Sequence, residues 1–217
     1  MAPSTQPTPP TAEPPLSRGH KKRERTRRGL VDAALRLFSR KELGEIALLE
    51  VAEEADVSNG TIYNYFRTRD EMVEAVGIAM ATEFSDAVSS LSQHVPSGAE
   101  RLAIGVRMFI IRASNDPQWA SALLRVFHFD RAMRSRLAIH VQTDLRAGLA
   151  EGVLAYEEES TAFDLVLSCT IGAMRAVVEG RAVVGHDARV AEMILKALGA
   201  ASTKAKEIAE AALPAPP

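Results

Sequence analysis

The stretch LLEVAEEADVSNGTIYNYFRTRD, which runs from Leu48 to Asp70, decides the fold of this 217-residue chain. Ala52 is a small residue at the point where two helices would cross. Asp56 stands four positions later at a turn, because aspartate tolerates the left-handed backbone better than most residues that carry a side chain. Ile62 then lies where a second helix must reach back into the core. This spacing predicts two short helices joined by a tight turn.

Helical patterns continue on both sides of this stretch. The apolar positions between Leu30 and Phe38 fall on one helical stripe. Ser58 is a good N-cap, and the residues from Thr68 to Glu71 form a capping-box sequence. We therefore predict an all-α fold of about nine helices. Their expected bounds are 25–40, 47–55, 58–66, 69–91, 100–115, 117–129, 130–156, 160–184 and 187–201.

Composition agrees with a helical protein that has a real core, since 47% of the residues are hydrophobic and only 5% are aromatic. The single cysteine, Cys169, excludes a disulfide within the chain and a thiolate metal cluster. The segment 1–20 lacks the apolar stretch of a secretory signal, and no run approaches the ~18 apolar residues of a membrane span. These observations favour a cytoplasmic protein.

Charge is distributed unevenly along the chain. The part from Ser17 to Arg69 has a net charge of +4, whereas the part from Asp70 to Pro217 has a net charge of -5. Most of the positive charge lies in the run RGHKKRERTRR, from Arg18 to Arg28. A cationic unit of this kind is suited to a polyanion such as nucleic acid.

The segment SNGTIYNYFRTRDEMVEA, which begins at Ser58, resembles the signature of the TetR family of transcriptional regulators in order, spacing and residue type. The resemblance extends from about Lys22 to Val76. It implies a three-helix helix-turn-helix DNA-binding domain, followed by a larger helical domain that binds a small-molecule effector and forms a homodimer. The implied function is a repressor that leaves a palindromic operator in double-stranded DNA when the effector binds. The expected segments are a disordered tail (1–17), the DNA-binding domain (18–69), the effector-binding and dimerisation domain (70–205) and a frayed tail (206–217).

The third helix is the expected recognition helix, whose N-terminal residues point into the major groove. Asn59 can pair with an adenine edge, Gly60 lets the backbone approach closely, and Tyr63 offers its ring to a thymine methyl group. The resemblance assigns phosphate contacts to Thr61, Tyr65 and Arg69. The candidate DNA-binding residues are Lys22, Arg23, Arg25, Ser58, Asn59, Gly60, Thr61, Tyr63, Asn64, Tyr65 and Arg69.

Two features of the second helix weaken its expected grip on phosphate. The family usually begins this helix with a threonine cap, whereas this chain has the apolar segment IALL at 46–49, and a lost cap costs ~1 kcal/mol. Glu50, Glu53 and Glu54 add negative charge to a helix that should cross the DNA backbone. We therefore expect the run from Lys21 to Arg28 to supply phosphate or minor-groove contacts.

Two late helices are candidates for a subunit interface. Small side chains recur every four residues along the first of them, and the second carries an apolar stripe. The resemblance implies a four-helix interface between subunits, while a tight contact within one chain is the alternative. The candidate interface residues are Ser168, Gly172, Ala176, Gly180, Val190, Met193, Ile194, Ala197 and Leu198.

The middle helices are expected to enclose the effector, although each candidate there is also compatible with ordinary core packing. Arg107 and Arg112 lie on an apolar helix, where a guanidinium either reaches water or pairs with a carboxylate of the chain or of a ligand. The last case implies an acidic or acyl-bearing ligand. The candidate ligand-binding residues are Met108, Phe109, Arg112, Trp119, Phe127, His128, Phe129, Phe163 and Met174.

Other classes of protein find less support in the sequence. No HExxH, GxSxG or glycine-rich phosphate loop is present, and the spacing of His128, Asp130 and His140 matches no metal site on one helix face. We therefore expect neither an enzyme nor a cofactor. A TetR-like activator, or an interaction module that does not bind DNA, remains open as an alternative.

Overall fold

Ten α-helices and no strand occur in the part of the chain that the structure, a computed structural model, describes: residues 18–38, 40, 46–126 and 131–214. The all-α prediction is confirmed. The helices are α1 (Arg18–Phe38), α2 (Leu48–Glu54), α3 (Asn59–Tyr63), α4 (Arg69–Ser92), α5 (Gly98–Asn115), α6 (Pro117–Val126), α7 (Arg131–Ala150), α8 (Glu159–Val178), α9 (His186–Ala197) and α10 (Ser202–Glu210).

A Schellman turn joins α2 to α3, at the position that the spacing predicted. Asp56 has a φ of 52°. The Asp56 N–H donates to the Glu53 carbonyl at 3.1 Å, and the Val57 N–H donates to the Ala52 carbonyl at 3.0 Å, which are the two bonds of this motif. Ala52 and Ile62 are fully buried, so both helices are fixed against one core.

The long helix α4 links the N-terminal helices to the rest of the molecule. It packs against α1 and also against α5, α6 and α7. Thr68 caps it by accepting a hydrogen bond from the Glu71 N–H at 3.2 Å. The Glu71 carboxylate accepts from the Arg67 N–H at 2.7 Å, one residue before the partner that a capping box predicts. One apolar core extends from Leu30 of α1 to Ala209 of α10.

In the C-terminal part, α5 is central and packs against α7, α8 and α9. At its first residue, Gly98, a Cβ would lie 2.4 Å from the Asp144 carbonyl oxygen and 2.6 Å from the Gly148 nitrogen. The Gly98 N–H and the Ser97 hydroxyl each donate to the Glu151 carboxylate at 2.8 Å. These contacts hold the start of α5 against the end of α7 at a distance that only glycine permits.

Several helix ends differ from the predictions. α1 begins at Arg18 rather than at residue 25, so the basic run is helical. α7 ends at Ala150 and α8 at Val178, each six residues before its predicted end. For α8 the cause is Gly180, which adopts a φ of 69° and donates to the Val177 carbonyl at 3.0 Å.

The predicted frayed tail is wrong for residues 206–210, because they belong to α10. Ile208 and Ala209 are buried in the core. Gly199, with a φ of 92°, turns the chain from α9 toward α10, and a Cβ there would lie 2.8 Å from the Ala155 Cβ. A nine-residue helix is marginal by itself and depends on tertiary burial, which periodicity alone does not reveal. The predicted tail over 1–17 lies outside the described residues.

Candidate nucleic-acid interface and pocket

The recognition helix α3 is short and firmly capped. Ser58 Oγ accepts a hydrogen bond from the Thr61 N–H at 3.2 Å and lies 2.9 Å from the Thr61 hydroxyl. On the opposite side, Ile62 is fully buried and anchors the helix to the core. The predicted N-cap is confirmed, and it fixes the direction of the first turn of α3.

One face of α3 is open to solvent. Asn59, Gly60 and Asn64 are exposed, and Tyr63 is 50% exposed although it is aromatic. A Cβ at Gly60 would meet only Ser58 Oγ, at 3.9 Å, so the chain itself does not require glycine there. An exposed ring beside a bare stretch of backbone suits a surface that enters the groove of DNA.

Two arginines of α1 lie against the aromatic rings that follow α3. The Arg23 guanidinium carbon is 5.6 Å from the centroid of the Tyr65 ring, and that of Arg27 is 5.3 Å from the Phe66 centroid. Contacts of this kind contribute ~0.5–1 kcal/mol at exposed sites. They hold the charges of α1 beside the recognition helix.

The remaining predicted cations occupy two different environments. Lys22 and Arg25 are exposed on α1. Arg69 is partly buried, and its Nε donates to the Ile46 carbonyl at 3.0 Å. This bond ties the start of α4 to the residues that precede α2. Arg69 therefore has a structural role that the sequence did not indicate.

Helix α2 has a cap that sequence reasoning missed. The N-cap residue, Ala47, offers no side-chain acceptor, but the Glu50 carboxylate accepts a hydrogen bond from the Ala47 N–H at 3.0 Å. This is the reciprocal half of a capping box. The signal was present in the sequence, because Glu50 stands three residues after Ala47.

A second carboxylate of α2 is engaged with α1. Glu54 Oε1 accepts from Arg36 Nε at 2.8 Å and from Arg40 Nη2 at 3.1 Å. The hydrogen bond from Arg36 is the main cause that lowers the pKa of Glu54. Glu53 is exposed. The negative charge expected on α2 is therefore offset at Glu54 by two arginines. The bond from the Ala47 N–H to Glu50 comes from a neutral group, so the prediction for Glu50 stays untested.

A pocket with a cavity volume of about 80 Å³ opens between α4, α5, α7 and α8. Its walls are mostly apolar and include Val106 and Val141. Two of the predicted ligand-binding residues, Phe109 and Met174, line it. The arrangement suits a small molecule with a large apolar surface.

The polar corner of the pocket was not predicted. Arg101 Nε donates to Asp144 Oδ1 at 2.6 Å, and His140 Nε2 lies 2.7 Å from Asp86 Oδ1. Burial raises the pKa of Asp144, and the hydrogen bond from Arg101 opposes this effect. The signal available in the sequence was the spacing of His140 and Asp144, which places them on one face of α7.

Several predicted ligand-binding residues lie elsewhere. Met108 packs in a separate small cluster with Val88 and Ile104, and Phe163 belongs to the main core. The Trp119 ring packs against the rings of Phe84 and Phe109 in the core. These side chains fill space between helices, which leaves them no face toward the pocket. Three further candidates lie outside the described residues: Phe127, His128 and Phe129.

Both arginines of α5 that suggested an acidic ligand have partners within the chain. Arg112 Nη2 donates to Asp116 at 2.9 Å, and its guanidinium carbon is 5.6 Å from the Trp119 centroid. Arg107 Nε donates to Asp187 at 3.0 Å. Both arginines thus pair within the chain, as one of the two alternatives predicted, and the acidic or acyl-bearing ligand stays a prediction. Arg112 does not line the pocket.

The candidate interface residues divide into two groups. Ser168, Gly172, Gly180 and Ala197 are exposed, and Met193 is 70% exposed. The others pack within the chain because α9 uses part of its apolar stripe against α5 and α8. For three of these the interface prediction is corrected, because Ala176, Ile194 and Leu198 are buried; Val190 is half-buried, and its role stays a prediction.

Helix α8 is unusually apolar for a helix with an exposed face. By length and composition alone it is able to cross a membrane, with a mean hydropathy of 1.5 over its apolar window, but only 39% of that window is buried in the chain. A core helix of a soluble protein has the same composition. Among the described residues, no group of three or more His, Cys, Asp or Glu side chains is placed to hold a metal ion.

Two family descriptions match the sequence. Residues 30–76 match "Bacterial regulatory proteins, tetR family", and residues 97–211, more than half of the chain, match "Tetracyclin repressor-like, C-terminal domain". The chain belongs to the TetR family of transcriptional regulators. As a TetR-family regulator it carries a DNA-binding helix-turn-helix, and the resemblance seen in SNGTIYNYF is confirmed.

Curated relatives of this TetR-family chain match part of its length. It is 31% identical to the HTH-type transcriptional regulator LuxR of Vibrio harveyi over 90 residues, which is 42% of this chain and 44% of LuxR. It is 30% identical to the regulator BetI of Escherichia coli over 78 residues, which is 36% of this chain and 40% of BetI. The chain thus spans less than half the length of these relatives.

Solved structures share the TetR fold over nearly the whole chain. RolR in complex with resorcinol aligns with a TM-score of 0.75 and 23% identity, covering 91% of this chain and 99% of RolR. A TetR regulator from Rhodococcus sp. RHA1 aligns with a TM-score of 0.58 and 20% identity, covering 82% and 99% of the two chains. At these identities the likeness shows the fold.

Proposed function

We propose that this TetR-family regulator represses transcription by binding a palindromic operator as a homodimer, and leaves the operator when a small molecule enters the pocket. Residues 18–69 form the DNA-binding domain, and residues 70–210 form the effector-binding and dimerisation domain. Regulators of this family are soluble DNA-binding proteins, and we place this one in the cytoplasm with its operator.

The exposed face of α3 supports direct readout of bases. Asn59 and Tyr63 are exposed about one turn apart on α3, and Gly60 leaves the backbone bare between them. We assign phosphate contacts to Thr61, to the hydroxyl of Tyr65 and to three cations of α1. Ser58 orients the helix, Asn64 lies at the rim of the contact, and Arg69 holds the domain together. The three α1 cations are Lys22, Arg23 and Arg25.

Release by a ligand is supported by α4, a single helix that connects the recognition helix with the wall of the pocket. α4 begins at Arg69, beside α3, and its last two turns from Ser85 to Ser92 contribute to the pocket wall. A ligand changes DNA affinity only by favouring one arrangement of the protein over another. A molecule that pushes on the end of α4 has this effect. RolR, which shares the fold, was solved both with resorcinol and without ligand.

Selection of bound sequences from random DNA tests the DNA-binding part of the proposal. We expect enrichment of a palindrome whose half-sites lie ~34–36 Å apart, and absence of enrichment would overturn the proposal. Tyr63→Ala should abolish binding to the selected site without lowering the melting temperature, since this side chain is half exposed. Val184→Ala is a matched control, because Val184 is 95% exposed in the loop between α8 and α9.

The exposed parts of α8 and α9 support a homodimer. Ser168 and Gly172 are small and exposed on the apolar helix α8. Met193 is exposed on α9, the next helix in the chain. We propose that this face packs against the same face of a second subunit, because an apolar helix that is mostly unburied needs a cover. A two-fold partner also doubles the length of DNA that is read.

Sedimentation velocity at micromolar concentration tests the dimer. Met193→Glu places a charge in the proposed interface and should produce monomers that bind the operator weakly. Ile139→Glu is the matched control, because Ile139 is 61% exposed but lies on α7. A monomeric unmodified protein, or equal dissociation of both variants, would contradict the proposed interface.

A further inference from the structure

The chain itself occupies most of the hydrogen-bond donors at the polar corner of the pocket. Arg101 donates through Nε to Asp144 at 2.6 Å and through Nη1 to the Val95 and Pro96 carbonyls at 2.8 and 2.9 Å. Three donor bonds of this guanidinium therefore go to the protein. They also fix the position of the Asp144 carboxylate at the pocket wall.

Two of the hydroxyl groups that line the pocket also donate to the chain. Ser92 Oγ donates to the Val88 carbonyl at 2.9 Å, and Thr170 Oγ1 donates to the Val166 carbonyl at 2.8 Å. Since a hydroxyl has one proton, each of these two oxygens presents only lone pairs to a ligand. Together with the Asp144 carboxylate they give this wall of the pocket hydrogen-bond acceptors.

The imidazole at the pocket mouth follows this pattern. His140 Nε2 lies 2.7 Å from Asp86 Oδ1. An ionised carboxylate accepts but does not donate, so the imidazole supplies the proton of this bond. His140 and Arg101 thus each have a carboxylate partner within the chain.

The pairing of Arg101 with Asp144 within the chain disfavours an ionised ligand. A ligand carboxylate would have to displace Asp144 from Arg101, and a ligand ammonium would meet a carboxylate that Arg101 already neutralises at 2.6 Å. The apolar walls formed by Val106, Phe109 and Met174 also raise the cost of removing a charge from water. An uncharged molecule avoids these costs.

We propose that the effector of this pocket is an uncharged, largely apolar molecule that donates a hydrogen bond, from a hydroxyl or N–H group, to Asp144. This inference rests on the proposed function, since it names the class of ligand for the same pocket. The donated bond offsets part of the hydration that Asp144 loses on burial. Burial also raises the pKa of Asp144, and a ligand donor favours the ionised carboxylate.

Isothermal titration calorimetry on the full chain with four benzyl probes tests the proposed class of ligand. The probes are benzyl alcohol, benzaldehyde, benzoate and benzylamine, and the same four head groups on naphthalene cover a larger size. We expect an alcohol to bind ~10-fold more tightly than the aldehyde, which only accepts hydrogen bonds. Benzoate and benzylamine should bind more weakly still. Equal or tighter binding of an ionised probe, or no binding of either alcohol, would overturn the proposal.

Two variants locate the contact. Asp144→Asn retains the shape but loses the charged acceptor, and it should weaken binding of the alcohol ~10-fold while changing binding of the aldehyde little. Thr170→Val removes a pocket oxygen to which the proposal assigns no ligand bond, so it should leave the alcohol affinity unchanged. Thr161→Val is a second control, because Thr161 is exposed on α8 and does not line the pocket. An unchanged alcohol affinity in Asp144→Asn, or a ~10-fold loss in Thr170→Val, would refute the assignment. If Asp144→Asn does not fold, the comparison of the alcohol with the aldehyde on the unmodified protein decides.

Release of the protein from the selected operator is measured separately, with the probe that binds the protein most tightly. An alcohol that binds but leaves the DNA complex intact contradicts release by ligand and leaves the ligand class standing. An ionised probe that binds best and releases DNA contradicts the ligand class and leaves the repressor mechanism standing. The two failures are therefore distinguishable.

Discussion

The Arg23 guanidinium lies over the Tyr65 ring, with 5.6 Å between the guanidinium carbon and the ring centroid. Arg23 belongs to the basic start of α1, and Tyr65 follows the recognition helix directly. The basic run is thus a helix that is held against the DNA-reading unit, rather than a free arm. Its charges have a defined position relative to α3, which favours contact with the phosphates that flank the groove.

Removing the charge of Arg23 should weaken DNA binding and its dependence on salt. We expect Arg23→Gln to reduce the slope of log affinity against log salt by about 1, because one phosphate contact is lost. Arg23→Lys should retain the slope but not the planar stacking on Tyr65. Fluorescence anisotropy across a salt series provides the measurement. Arg181→Gln, a charge removal in the loop after α8, is the control, and an unchanged slope in Arg23→Gln would argue against phosphate contact.

The pairing of Glu54 with Arg36 and Arg40 should stabilise the N-terminal domain in a pH-dependent way. The pKa of Glu54 is lowered from 4.5, so this stabilisation is present above that pH and is lost as the pH falls through the folded-state pKa. Glu54→Gln should therefore melt earlier than the unmodified protein at about pH 7, and the difference should shrink as the pH falls below 4.5 through the folded-state pKa. Glu53→Gln, an exposed neighbour, should show no such difference. Thermal unfolding followed by circular dichroism distinguishes these outcomes.

Gly98→Ala should be strongly destabilising. The added Cβ would lie 2.4 Å from the Asp144 carbonyl oxygen, and since the obstacle is backbone, α5 and α7 must separate. We expect a loss of ~1–3 kcal/mol in the free energy of unfolding. Gly105→Ala in the same helix has open space around the new Cβ and should gain ~0.5–1 kcal/mol. Urea denaturation measures both values, and similar effects of the two substitutions would contradict the close approach.

Glu158 should stabilise α8 over a defined pH range. Its carboxylate accepts from the Ser160 and Thr161 N–H groups at 3.1 and 2.6 Å. Hydrogen bonds from Ser160 and Thr161 lower the pKa of Glu158 from 4.5 to about 2. Because the folded-state pKa is lowered, the contribution is complete above 4.5 and disappears as the pH falls to about 2. The stability gap between the unmodified protein and Glu158→Ala should close over that range, while Glu157→Ala shows no gap.

Local chemistry explains which elements were predictable. The turn at Asp56 and the cap at Ser58 depend on residues within four positions, and both are as the sequence indicated. Glu50 and Asp116 were also within local reach, because each bonds to a group three or four residues away. Neither role follows from the apolar periodicity of these helices, which does not specify how polar side chains pair.

Contacts between distant helices were beyond sequence reasoning. Arg101 and Asp144 are 43 residues apart, and only the packing of α5 against α7 brings them together. The apolar stripe of α9 was recognised, but a stripe does not reveal whether its cover is the same chain or another one. Ile194 and Leu198 face the chain, and Met193 faces solvent.

The uninterrupted length of α4 sets the scale of motion that a bound molecule must produce. With 24 residues, the helix axis is roughly 36 Å long, so a tilt of ~5° about its pocket end displaces its other end by ~3 Å. This displacement is comparable with the length of a hydrogen bond, so hydrogen bonds to base edges would be broken. Under the proposed mechanism, a tilt of this size is therefore sufficient to take α3 out of register with the groove.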